Sequence, residues 1–159
     1  MAESKRQRIV DAVAERMRAI LRANGYETDL GLNVEEWTQH LQQEDIPDDG
    51  VISICDMVAE AAQTSGRSNP QETVWIMPIQ IRIWYPHDEL TAANVRTGLQ
   101  DVNRAIRQDD RWKVDGVGLV MISRPLREGP IVPEDSYEIA GGFLDFEVQF
   151  ITQKFNSEE

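Results

Sequence analysis

The clearest pattern in the chain is an alternation of apolar and polar residues between Phe143 and Phe155. A period of two predicts a β-strand with one buried face. The apolar positions are Leu144, Phe146, Val148 and Phe150, and the polar positions between them are Asp145, Glu147 and Gln149.

A second long strand is predicted from Thr73 to Tyr85. Pro78 has no amide hydrogen for a ladder, so we expect this strand to lie at a sheet edge or to bulge there. Trp84 falls on the polar face, where it either packs under a helix or anchors a subunit contact. From the two strands we predict core positions at Ile79, Ile81, Ile83, Phe146, Val148 and Phe150.

Apolar residues at helical spacing predict two helices. The first spans about Ser4–Asn24, begins with a capping box and is stopped by Gly25. The second follows Pro86, with Asp88 or Thr91 as its cap. Its apolar stripe comprises Leu90, Val95, Leu99, Val102 and Ile106.

The remaining segments predict shorter strands and loops. Val51–Ala59 is rich in β-branched residues and predicts a strand, joined to the next by the turn-rich segment Gln63–Pro70. A short strand is predicted at Val117–Ser123. Segment Arg124–Gly142 contains three prolines and three glycines and predicts a long loop. We expect that shortening this loop leaves the fold intact.

These elements predict one α+β domain covering residues 1–159. Its fold would be a mainly antiparallel mixed sheet of about four to five strands, with two helices packed on it. The length is sufficient for a hydrophobic core without disulfides.

The chain is acidic, with a formal net charge of −12. This charge argues against sequence-specific nucleic-acid binding, which depends on neutralising phosphates. The acidic surface either provides solubility alone or lines a conduit through which another polyanion passes without binding. Cys55 is the single cysteine and is expected to be a buried strand residue. No apolar stretch is long enough for a membrane span or an export signal, so we expect neither membrane insertion nor export.

No combination of residues predicts catalysis, cofactor binding or a metal site. The histidines His40 and His87 lack ligand-like spacing with nearby carboxylates. Asp145 and Glu147 resemble an acid–base pair, but alternation places them on the wetter strand face. The Gly-x-Gly at Gly116 precedes a strand and predicts a turn. The carboxylates considered for a metal site are Asp56, Asp88 and Glu89.

Two N-terminal segments resemble the start of tail terminator (tail completion) proteins of long-tailed bacteriophages. They are Arg8–Arg16 and Ala23–Gly31, the second containing Gly-Tyr-x-Thr-Asp-x-Gly. The predicted element order is also similar: a helix, a hairpin, a long central strand, a second helix and two closing strands. The last of these strands carries the Phe-x-Val-x-Phe run that ends at Phe150.

The resemblance implies a homohexameric ring that caps the tail tube, ends polymerisation of tube protein and offers a docking surface to the head–tail connector protein. It implies no catalytic residue, a place at the head–tail junction of the virion, and assembly in the host cytoplasm. An acidic lumen would let the DNA genome pass. The candidate interface residues are Trp84, Arg124, Arg127, Ile131 and Val132.

Two other functions remain open from the residues. A neck or head–tail adaptor protein has similar size and α+β character. A small-ligand-binding or enzymatic α+β domain would place its site beneath the predicted loop 124–142, and ligand-dependent stabilisation of a monomer would favour that class.

Overall fold

The computed structural model describes residues 4–37, 46–62, 72–109, 111–114, 116–132 and 140–153. Its helices are α1 (Lys5–Arg18) and α2 (Thr91–Arg107), and short 3₁₀ turns lie at Arg22–Asn24 and Leu30–Leu32. The strands are β1 (Val34–Glu36), β2 (Val51–Asp56), β3 (Glu60–Ala61), β4 (Glu72–Trp84), β5 (Lys113–Val114), β6 (Val117–Gly118), β7 (Ile122–Ile131) and β8 (Gly141–Gln153).

The main sheet has the strand order β1-β2-β4-β8-β7, and β3 also pairs with β4. β1 runs parallel to β2, and the other pairs in this sheet are antiparallel. The predicted fold class is therefore confirmed, with six strands in the described sheet where about four to five were expected. β5 and β6 form a separate hairpin.

One apolar cluster fills the space between the two helices and a single face of the sheet. The six predicted core positions on β4 and β8 all belong to it, so the predicted inward face is confirmed. Trp112 was not predicted to be in the core, yet it is fully buried and stacks on Phe146 at a centroid distance of 5.7 Å. Arg16 covers the other side of this indole at 4.4 Å.

Helix α1 begins as predicted, since the Ser4 hydroxyl accepts a hydrogen bond from the Gln7 amide at 3.1 Å. The predicted end at Asn24 is wrong, because the helix ends at Arg18. Gly31 donates its amide hydrogen to the Ile20 carbonyl at 2.8 Å. A Cβ at Gly31 would lie 2.4 Å from the Arg18 carbonyl oxygen, so the returning chain occupies the space just beyond the helix end.

Pro78 does not lie on an edge strand, because β4 is central and pairs with β2 and β8. The carbonyl of Pro78 accepts a hydrogen bond from the Met57 amide at 2.8 Å. The missing amide hydrogen lies on the same side of the strand as this carbonyl. That side faces residues 57–59, where the neighbouring strand is interrupted between β2 and β3. The interruption lets a central strand accommodate proline.

The predictions for residues 117–142 are mostly wrong. Val117–Gly118 belongs to the small hairpin, and the segment from Ile122 to Ile131 is a ten-residue strand in place of a loop. β7 is an outer strand, where proline is tolerated. A bulge also interrupts its alternation, so the pattern of a strand is hidden in the sequence. Residues 133–139, 38–45 and 63–70 lie outside the described residues, including His40 and the predicted turn before β4.

Helix α2 lies across β4, β7 and β8. Both predicted capping residues contribute to the turn before it: the Thr91 hydroxyl accepts from the Asp88 amide, and Asp88 accepts from the Leu90 amide. Leu90 itself occupies the cap position and is exposed, so its predicted place in the apolar stripe is wrong.

Candidate functional site

The structure brings four of the predicted interface residues to one face of the sheet, opposite the helices. Trp84 ends β4, and Arg124, Arg127 and Ile131 lie on β7. Trp84 pairs with Gly141, which in turn pairs with Ile131, so these residues form one row across three strands. Val132 follows the end of β7 and is exposed. We call this side of the sheet the open face.

A bulge in β7 places both arginines on the open face. Arg124 pairs with Glu147 and Arg127 with Asp145, while Leu126 between them has no partner in the register. Residues three apart point to opposite faces of a regular strand. The extra residue brings both arginines to the same face, because a bulge places two residues of one strand opposite a single residue of its partner.

Each arginine forms an ion pair with a carboxylate of β8. Arg127 Nε lies 2.6 Å from Asp145 Oδ2, and Arg124 Nε contacts Glu147 Oε1. Asp145 also accepts a hydrogen bond from Gln80 Nε2 at 2.8 Å. The carboxylate side chains are only 13% and 12% exposed. The expectation that they are solvated is therefore wrong, and the arginines cover them.

Trp84 packs across Gly141 on the open face. A Cβ at Gly141 would lie 2.9 Å from Trp84 Cε3 and 2.3 Å from the Ile83 carbonyl, so only glycine fits beneath the indole. The ring is half-buried, and its Nε1 has no hydrogen-bond partner among the described residues. Sequence reasoning left two roles open for Trp84; in this chain it packs on β8 rather than under a helix.

A groove of about 260 Å³ runs between β7 and the C-terminal half of α2. Its walls include the bulged Leu126, Arg127 and Arg107, and Leu144 forms part of its lining. Asn103 also lines it, and the buried Oδ1 of this side chain has no hydrogen-bond partner in the described part of the chain. Sequence reasoning missed the groove because it interpreted β7 as a loop.

The Gly-Tyr-x-Thr-Asp-x-Gly segment, on which the family resemblance partly depends, is held against α2. Asp101 is 1% exposed and accepts hydrogen bonds from the Thr28 amide at 2.8 Å and the Thr28 hydroxyl at 2.7 Å. Arg104 lies over the Tyr26 ring at 4.6 Å and donates to the Gly25 carbonyl. These contacts give the segment a role in the fold rather than in chemistry.

Asp101 also affects a buried tyrosine on the sheet. Burial raises the pKa of the Tyr85 hydroxyl far above its ordinary value, and the negative charge of Asp101 raises it further. This hydroxyl therefore stays protonated throughout the physiological range.

The residues considered for a metal site do not converge. Asp56 ends β2, at the opposite end of the β2–β4 pair from the turn that carries Asp88. It accepts hydrogen bonds from Arg6 Nε at 2.7 Å and Trp37 Nε1 at 2.9 Å. Within the described residues, no three His, Cys, Asp or Glu side chains are grouped to hold a metal ion. Cys55 is buried in β2, as expected.

A second groove, of about 560 Å³, lies between α1 and the β5–β6 hairpin. Arg8, Asp11 and Glu15 line the helix side, and Lys113 and Val114 line the hairpin side. The lining side chains carry charges of both signs. No nucleophile with an adjacent base is among its lining residues, so its geometry supports no particular reaction.

Comparison of the sequence with protein-family models and with curated proteins gave no match. Over the described residues, no helix combines the length and apolar character needed to cross a membrane.

Proposed function

We propose that this protein is a tail terminator of a long-tailed bacteriophage. Copies of the chain form a ring, most simply a hexamer, on the end of the tail tube. The ring stops further addition of tube protein and presents a docking surface for the head–tail connector protein. In the virion it occupies the head–tail junction, and DNA passes through its acidic lumen.

The observation that carries this proposal is the order and packing of the elements. α1 is followed by the β2–β4 hairpin, the long central strand β4, the crossing helix α2 and the closing pair β7–β8. This is the order that the resemblance implies. The segment Gly25–Gly31, which carries part of the resemblance, is fixed by buried contacts to α2 and α1.

The open face supports the proposal further. Trp84, Arg124 and Arg127 lie together there, and tryptophan and arginine are enriched in protein interfaces. The arginine side chains are 61% and 72% exposed while their carboxylate partners are covered. A surface of this kind suits contact with another protein better than binding of a small molecule in a deep pocket.

The test is to add purified protein to tail tube protein that is polymerising, and to measure tube length by electron microscopy. A terminator is expected to form rings in solution or on tube ends and to shorten the tubes in proportion to its concentration. The variant Arg96→Ala, which changes an exposed arginine on α2 away from the open face, should shorten the tubes as the wild type does. Tubes of unchanged length, with no ring on their ends, would overturn the proposal.

The same experiment separates the two alternatives. A neck adaptor would bind connector protein and leave tube growth unchanged. A small-ligand-binding domain would remain monomeric and would gain thermal stability from a ligand, because binding to the native state alone raises the free energy of unfolding.

A further inference from the structure

We propose that adjacent copies of this chain associate through the two opposite edges of the main sheet, β7 of one copy against β1 of the next. The inference deepens the proposed function, because it rests on the ring and names the surfaces that would form it. Among the strands that the structure describes, β1 and β7 lie at opposite ends of the strand order.

The β7 edge offers an exposed apolar side chain and an exposed cation. Leu126 is pushed out of the ladder by the bulge and is 48% exposed. Arg107 is exposed on α2 and, with Leu126, lines the groove beside this strand, where Glu128 is the one acidic residue among the described lining residues. The groove therefore offers an apolar wall and a cation to an incoming segment.

The β1 edge has the complementary character. Glu35 and Glu36 are exposed on the strand, and Asp48 and Asp49 are exposed in the turn before β2. That turn is close to the start of β1, since Asn33 Nδ2 donates to the Gly50 carbonyl at 3.2 Å. Leu32, two residues before the strand, is 60% exposed.

Charge favours contact between unlike edges. Two β1 edges would bring carboxylates together, so association of β1 with itself is disfavoured, whereas the groove beside β7 offers Arg107 to those carboxylates. Contact between unlike edges is heterologous, and repeated heterologous contacts produce a closed ring or an open filament. A ring forms when the rotation between adjacent copies brings the last copy back into contact with the first.

The prolines of β7 determine how the contact is made. Pro125 and Pro130 have no amide hydrogen, and the bulge interrupts the ladder between them. A long continuous extension of the sheet is thereby disfavoured. We therefore assign recognition mainly to side chains: Leu32 of one copy packs into the groove beside Leu126 of the next, and Glu36 faces Arg107.

The test uses two double variants, each of which changes the charges on one side of the proposed contact. L126E/R107E places two glutamates in the groove beside β7, and L32K/E36K places two lysines on the side that meets this groove. Neither change touches the Arg124–Glu147 or Arg127–Asp145 pair. R96E is the control, because it reverses an exposed arginine of α2 that lies outside the groove lining. Mass is measured by analytical ultracentrifugation, and folding by cooperative thermal unfolding.

We expect wild type and R96E to assemble and each double variant alone to remain monomeric. An equimolar mixture of the two double variants should assemble again, because the introduced lysines of one variant then meet the introduced glutamates of the other, and the alternate contacts are those of the wild type. Assembly by either double variant alone, or a mixture of folded variants that stays monomeric, would overturn the inference. If a double variant does not unfold cooperatively, L126S and L32S replace it. Each should then weaken association at least about tenfold, and unchanged association would count against the proposal.

The outcomes also separate this inference from the proposed function. If the edge variants still form rings that shorten tubes, the edge contact is wrong and the terminator function stands. If wild type assembles through these edges but leaves tube length unchanged, the edge contact stands and the terminator function is wrong. If wild type stays monomeric both in solution and on tube ends, both are wrong.

Discussion

Arg124 and Arg127 project from the same face of β7 although they are three residues apart, each opposite a carboxylate of β8. The relationship depends on Leu126, which is the extra residue of the bulge. The bulge therefore does two things at once. It aligns two cations with two carboxylates that are two residues apart, and it pushes an apolar side chain out of the ladder.

Deletion of Leu126 should be tolerated by the fold. The deletion turns the bulged strand into a regular one in which Arg124 still faces Glu147 and Arg127 still faces Asp145. The control is deletion of Glu128, an exposed residue in the regular part of the strand. This deletion would move the side chains on one side of it to the opposite face of the sheet. We expect a near-unchanged melting temperature for the first and a clear decrease for the second. Equal decreases would contradict the assigned bulge.

Arg124→Met should destabilise the protein more than Arg127→Met. Glu147 would lose its charged partner while remaining largely covered, whereas Asp145 would keep its hydrogen bond from Gln80. We expect a loss of about 1–3 kcal/mol for the first variant. The Arg127–Asp145 pair, which is the more exposed of the two, should contribute under about 1 kcal/mol to stability.

Urea unfolding measures both losses, and the double variant R124M/E147Q should recover part of the first. If R124M and R127M lose the same free energy of unfolding, the burial of Glu147 does not make its ion pair the more stabilising one.

Asp101→Asn should loosen the segment between α1 and β1 from α2. The amide group of asparagine cannot accept all the hydrogen bonds that Thr28 and Glu27 donate to the carboxylate. We expect a loss of about 1.5–3 kcal/mol, because these bonds are made to a buried charged group. Thr28→Val, which removes one of the donors, should cost less. Hydrogen exchange at the Thr28 amide provides the local measurement, and unchanged protection would contradict the assigned role.

Phe146→Ala should cost about 3–5 kcal/mol, since the ring is fully buried and stacks on Trp112. Phe143→Ala is the matched control, because Phe143 is half-buried on the opposite face of the same strand. A smaller loss is expected there. Thermal unfolding of the two variants compares the faces directly, and a larger loss at Phe143 would reverse the assignment of the core.

The two long strands could be predicted from the sequence because each has one buried face over most of its length. On β4, Met77, Ile79, Ile81 and Ile83 are all fully buried, and their spacing of two is unbroken. Burial of each such side chain contributes about 1.5–3 kcal/mol to stability. The residues that stabilise the fold most are therefore the residues that form the alternating pattern.

β7 could not be predicted because its stability comes from elsewhere. Most of its residues are exposed, and it is held by pairing to β8 and by arginine–carboxylate contacts. Its alternation also changes phase at Leu126. Four residues that residue type made interface candidates lie together on the open face. Leu126, Asn103 and the groove that they line could not be predicted, because they come together only through tertiary contacts. The expectation that the segment Arg124–Gly142 can be shortened without damage to the fold is also wrong where it falls on β7, because residues 124–131 form most of that strand.

Stability should decrease as the pH falls below the ordinary carboxyl range, partly through Asp56. Burial raises the pKa of this carboxyl, but the hydrogen bond from Trp37 and the hydrogen bond and charge of Arg6 outweigh it, and the net pKa lies below the ordinary value of 3.8. The contacts of the ionised group therefore stabilise the fold fully above the unfolded-state pKa. They are lost as protons bind, from about pH 5 downward.

Asp56→Asn isolates this contribution. Asparagine can still accept a hydrogen bond from Trp37, but it has no charge for Arg6, so the variant should be less stable than wild type at neutral pH. The difference in melting temperature should shrink as the pH falls below the ordinary carboxyl pKa, because binding of a proton removes the charge of the wild-type Asp56 as well. Asp11→Asn is the control, since Asp11 lies on the outer side of α1 and accepts a hydrogen bond from Gln7 rather than from a cation. A difference between D56N and wild type that stays constant across this range would show that the ionisation of Asp56 does not stabilise the junction of α1, β1 and β2.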